Sequence, residues 1–80
     1  MQKSVFSHHQ EVLASLLLKV RRELGLRQID VARLLGEPQS FVSKYESGER
    51  RLDLPELEQI CKAMGVALSA FIRRYEEACR

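Results

Sequence analysis

The chain lacks any long hydrophobic run. No stretch approaches the ~18 consecutive apolar residues of a membrane-spanning helix, so no membrane partner is expected. The N-terminus, MQKSVFSHHQ, lacks the basic-then-apolar layout of a secretory signal, which makes a cytoplasmic protein the expectation. Cysteine is scarce. Cys61 and Cys79 are too few for a disulfide framework, and no ligand set with zinc spacing surrounds them. Cys61 reads as a small core residue, and Cys79, one residue from the last, as a solvent-exposed thiol. His8 and His9 are adjacent, so on a helix they point about 100° apart and do not readily share a metal. Ser/His/Asp and Cys/His sets, paired carboxylates and phosphate loops are all missing. That argues against an enzyme, and no cofactor, metal or small-molecule ligand is expected. A strong charge of one sign is missing too. The formal net charge of +2 does not by itself signal nucleic acid, so such a partner has to be argued from where charges sit.

Strand patterns are also absent. Apolar and polar residues nowhere alternate for long enough to suggest a half-buried strand, which predicts an all-α fold. A length of 80 residues predicts one domain. A domain this small buries only ~60% of its unfolded surface and depends on very regular packing or on a partner. Five helices can be read. The first is expected to begin after Ser7, because Ser7 and Gln10 have capping-box spacing. It carries Leu13, Leu16, Leu17, Val20 and Leu24 at helical intervals and ends at Gly25. The second runs from about Gln28 to Leu35, with Val31, Ala32 and Leu35 inward, and stops at Gly36. The third starts near Pro38 and closes at Gly48. Asp53 and Glu56 form a second capping box, with Pro55 in the first turn of a helix lined by Leu57, Ile60, Cys61 and Met64 and stopped by Gly65. Ser69 is placed to cap a fifth helix bearing Phe71, Ile72 and Tyr75. Residues 1–6 are expected to be flexible.

The third helix is the unusual one. In "EPQSFVSKYESG", Val42 and Tyr45 share one edge, while Gln39, Ser40, Ser43, Lys44 and Ser47 cover the other. A helix this short does not persist alone in water, so its apolar edge must pack on something. Only two or three residues around Gly36 separate it from the second helix, the connection length of a helix-turn-helix. Ala32 is small where such helices approach, Gly36 tolerates a positive φ in the turn, and Val31, Leu35, Val42 and Tyr45 can lock the angle. A helical hairpin that merely fills a bundle is the plainer alternative.

The segment "ELGLRQIDVARLLGEPQSFVSKYESGERRL" resembles the helix-turn-helix of phage Cro and repressor proteins, the XRE family. Gln28, Ala32 and Gly36 are in register, followed by "QSFVSK", Glu46, Gly48, the Leu57/Ile60 stripe and "MGVALS". The resemblance covers about residues 14–72. It implies a five-helix, lambda-repressor-like domain whose third helix lies in the major groove of double-stranded DNA. By resemblance, Gln39, Ser40, Ser43 and Lys44 are base-reading positions, which suits their chemistry: glutamine bonds adenine at two points, lysine donates to guanine, and serine serves several bases. Gln28, Arg27, Ser47, Arg50 and Arg51 are the implied phosphate contacts, with solvated loop charges as the alternative for the two arginines after the helix. Arg21 and Glu46 match a salt bridge tying the first helix to the end of the third.

Three departures stand out. Arg27 occupies a position where relatives carry a serine or threonine cap. Glu37 sits in a usually apolar turn position and must stay wet. Phe41 is larger than usual and is expected to pack under the third helix, with a thymine methyl as the alternative contact. The function implied is that of a dimeric repressor or controller acting on a palindromic operator. An antitoxin-type or other protein-interaction module is the alternative, though that would favour exposed aromatic anchors, and residues 39–47 show few. A homodimer is expected through Phe71, Ile72 and Tyr75, read as more apolar surface than a small core needs. The other reading places them over the base of the first helix.

Overall fold

The computed structural model describes residues 5–80 and is all-helical over that range. Helix α1 spans Val5–Glu23, α2 Gln28–Leu35, α3 Gln39–Ser47, α4 Leu54–Met64 and α5 Leu68–Ala78. The expectation of flexibility at residues 1–4 falls outside the described residues, while Val5 already belongs to α1.

Each helix contributes one stripe to a common core. Leu16, Leu17 and Val20 come from α1, Val31 and Ala32 from α2, and Val42 and Tyr45 from α3. Leu57, Ile60, Cys61 and Met64 follow from α4, and Phe71 from α5. Helices α2 to α5 are too short to stand alone in water, and the shared apolar cluster is what makes them persist. Burial pushes the Cys61 thiol up to about 11, as expected of a core cysteine. Cys79 differs from its expected exposure: it is half-buried in the last turn, near Tyr75.

Helix ends set by local chemistry fall where the sequence places them. Gly36 takes φ 70, which lets Glu37 N–H reach back to Ala32 O at 3.0 Å and turns the chain sharply from α2 into α3. The α4 capping box is complete. Glu56 N–H donates to Asp53 Oδ1 at 2.8 Å, and Asp53 N–H donates to Glu56 Oε1 at 2.9 Å.

Two predicted starts move, and that of α3 lies within one residue of its expected place. Ser7 lies inside α1 rather than before it. In a helix running from Val5, the donors Ser7 would cap already belong to the i→i−4 ladder. Pro38 occupies the cap position with extended ψ 156, one residue ahead of α3. Ser69 sits in the first turn of α5, because Phe71 N–H donates to Ala67 O at 3.0 Å and Ala67 is therefore the cap. Leu68 packs on the core there, and that contact draws the helix start forward.

Phe71 needs a larger correction. It is 0% exposed and belongs to the chain's own core, so it offers no surface to a partner. Ile72 and Tyr75 are half-buried and line a shallow groove with Leu13, Leu52, Leu54 and Leu57. Replacing Phe71 by alanine is expected to cost about 3–5 kcal/mol, the usual loss for a truncated core ring. Urea unfolding at two protein concentrations checks this. A midpoint that equals the parent's at low concentration would return Phe71 to an intermolecular role.

Candidate nucleic-acid interface

Helix α3 divides into two faces. Val42 and Tyr45 are buried and Phe41 is half-buried, its ring edge-on to that of Tyr45 with centroids 5.5 Å apart. Gln39, Ser40, Ser43, Lys44 and Ser47 are all exposed. At 100° per residue these five positions share an arc of about 140°, so one side of α3 is a continuous polar surface on an apolar base. Burial also raises the Tyr45 hydroxyl far above the ordinary phenol range, keeping it neutral.

A hydrogen-bonded chain fixes the height and angle of that surface. Arg21 on α1 grips Glu46 on α3 with two parallel bonds, Nε to Oε2 at 2.7 Å and Nη2 to Oε1 at 2.9 Å. Its remaining arm, Nη1, donates to Leu26 O at 2.8 Å in the α1–α2 loop. Both residues are 8% exposed. The bonds to Glu46 raise the Arg21 guanidinium further above its already high range. Gln28, the first residue of α2, donates from Nε2 to Glu46 Oε1 at 3.0 Å. Gln39, the first residue of α3, donates from Nε2 to Gln28 Oε1 at 3.3 Å. The Gln28 amide has only one sensible orientation here, since a carboxylate accepts and does not donate. Its nitrogen faces Glu46, and its oxygen is left for Gln39.

The implied backbone-contact residues are placed less uniformly. Arg27 is exposed and doubly bonded to Asp30, through Nε at 3.1 Å and Nη2 at 3.0 Å. Arg27 has no side-chain acceptor, so only the return half of a capping box forms, with its N–H donating to Asp30 Oδ2 at 2.8 Å. These bonds hold the Asp30 carboxyl down at about 2. Ser47 folds its hydroxyl onto Lys44 O at 3.0 Å. Arg51 is exposed and borders a groove with Gln10, Ser47 and Gly48. Arg50, by contrast, is drawn away to Glu56 on α4. Glu37 is exposed, as its charge requires. Sequence reasoning missed the Gln28–Gln39 contact and the role of Glu56, whose only sequence signal is its place in the α4 capping box.

These features define a helix-turn-helix protein, and a helix-turn-helix family model matches residues 17–71. An XRE-family like protein from Pseudomonas syringae pv. tomato str. DC3000 is 38% identical, with a TM-score of 0.84 over 91% of this chain and 89% of that one. The chain belongs to the XRE family of helix-turn-helix proteins. A mutant of the restriction–modification controller protein C.Esp1396I, bound to its highest affinity operator site OM, is 25% identical with a TM-score of 0.82, covering 89% of this chain and 93% of that one. The clp gene regulator ClgR from C. glutamicum shares the fold at 18% identity and a TM-score of 0.80, over 90% of this chain and 92% of that one. No curated protein matches the chain significantly.

Glu46→Ala leaves the Arg21 guanidinium buried without its counter-charge and removes the acceptor of Gln28. The expected loss is about 3–5 kcal/mol, well above that of an exposed pair. A thermal melt superimposed on the parent's would show that the pair does not hold α1 to α3.

Proposed function

We propose that this chain is a sequence-specific double-stranded DNA-binding transcription regulator, acting as a dimeric repressor or controller on a palindromic operator. The observation that carries this reading is the outer face of α3. Its exposed side chains are hydrogen-bonding residues of modest length, and its buried side is locked to α1 and α2 through Glu46. A rigid base under an adaptable polar face suits readout of base edges in the major groove. Gln39, Ser40, Ser43 and Lys44 are the proposed base readers. Gln28, Arg27, Ser47 and Arg51 are the proposed phosphate contacts, joined by Arg50 once it leaves Glu56. The operator-bound relative supports the same reading. Residues 14–72 form the proposed core of a single DNA-binding domain.

One recognition helix touches only a few base pairs, so two copies on half-sites about 10 base pairs apart give a usable address. Leu54 is 63% exposed and lines the same groove as Leu13, Leu52, Leu57, Ile72 and Tyr75, with Asp53 as its charged member. A mostly apolar groove with an exposed apolar wall can pack against its own copy and suits a two-fold contact. Ile72 and Tyr75 remain the proposed interface residues, and Leu54 takes the place of Phe71.

Selection from a random duplex library tests the proposal. The selected sites are expected to be palindromic. Gln39→Ala is expected to cost about 1–3 kcal/mol and to relax preference at one base pair per half-site. An unselective pool would sink the reading, and an unchanged profile in the variant would remove Gln39 from it. The dimer is tested separately by sedimentation. Leu54→Glu is expected to shift a dimeric parent toward monomer, and an unaltered distribution would move the interface elsewhere.

A further inference from the structure

Arg50 occupies a seat built from other parts of the chain. Its N–H donates to Lys44 O at 3.2 Å, which folds the α3–α4 loop back against the end of α3. Its guanidinium lies over the Phe41 ring, 4.9 Å from the centroid, and Nη2 pairs with Glu56 Oε2. Leu35, Pro55 and Ile60 line the same groove, and the acids Glu37 and Asp53 stand on its rim. An aromatic floor and a carboxylate wall make a receptor for a guanidinium. Carboxylate and phosphate present the same pair of acceptor oxygens to arginine, so the two compete for one set of donors.

Two of the arginine–glutamate pairs of the fold, Arg21–Glu46 and Arg50–Glu56, differ in a way that decides their roles. Arg21 and Glu46 have side chains 9% and 2% exposed, so water and outside anions are shut out. Arg50 and Glu56 have side chains 40% and 29% exposed. A pair open to solvent is weakly held and exchanges readily. The first pair is a fixture, and the second is a latch.

We infer that Glu56 is an internal competitor for DNA phosphate. In the free protein it holds Arg50 over Phe41, and it yields Arg50 to the backbone of a bound duplex. The Glu56 carboxylate thereby weakens binding to every sequence alike, without touching the base-reading face. This inference rests on the DNA-binding reading above.

Glu56→Gln isolates the effect. Glutamine serves in a capping box as glutamate does, so α4 keeps its start while the charge is lost. Glu58→Gln, at an exposed position of the same helix, makes the same charge change away from Arg50 and is the control. Binding to a short random-sequence duplex is followed by fluorescence anisotropy across a salt series. E56Q is expected to bind several-fold tighter at low salt than the parent and E58Q, with a log K against log salt slope close to the parent's, because Arg50 meets phosphate in both complexes. Adding R50A is expected to erase that gain. An E56Q affinity equal to the parent's, a gain matched by E58Q, or a gain that survives R50A would each overturn the latch while leaving DNA binding intact. A parent that binds no duplex overturns the DNA reading and this inference together.

Discussion

The fold turns on the buried contact between Arg21 and Glu46. It is a two-point bond between residues on α1 and α3 that are 25 apart in the chain, and its spare groups tie in the rest. The third arm of Arg21 holds the Leu26 carbonyl, and Glu46 receives Gln28. Four segments therefore meet at one carboxylate and one guanidinium. Burying two charges carries a large desolvation cost, which only full pairing and further hydrogen bonds offset. Among the described residues no buried side-chain nitrogen or oxygen lacks a partner, so that condition is met. The gain lies in geometry more than in stability. A planar fork on a carboxylate accepts very few orientations, and α3 is held at one angle to α1.

That constraint explains how a nine-residue helix can act as a rigid platform. The apolar edge of α3 gives it adhesion through Val42 and Tyr45, but a greasy contact alone tolerates sliding. The ion pair at its C-terminal end and the Gln39–Gln28 contact at its N-terminal end remove that freedom. The loop that follows adds a third tether through its backbone, where the Arg50 N–H donates to Lys44 O at 3.2 Å.

Much of this was legible in the sequence where local chemistry decides the outcome. Gly36 and the Asp53–Glu56 box place the end of α2 and the start of α4, because backbone conformation and near-neighbour hydrogen bonds settle them. The exposure of Gln39, Ser40, Ser43, Lys44 and Ser47 follows from their spacing against Val42 and Tyr45. Ser7 and Ser69 mislead because serine followed by polar residues is common inside helices, and packing partners choose the true starts. Phe71 misleads for a related reason. Apolar content alone does not separate a core ring from an interface ring when the core has no independent measure of size. The partner of Arg21 is visible only through family resemblance, since nothing periodic links positions 21 and 46. The partner of Arg50 leaves no such trace, because Glu56 already has an evident task in its cap.

The bond between Gln28 and Gln39 has a consequence for how the surface of α3 can diversify. Position 39 is not an independent letter. Any residue placed there inherits a neighbour whose amide oxygen points toward it and whose nitrogen is committed to Glu46. A newcomer that donates, such as arginine or asparagine, inserts into this arrangement. An acidic newcomer meets that oxygen head-on and forces Gln28 to reorient, which in turn disturbs Glu46. Lineages descending from this chain are therefore expected to explore donors at 39 freely and to reach acids only through paired change at 28. The buried pair, remote from the exposed surface, shapes which mutational routes across it are open.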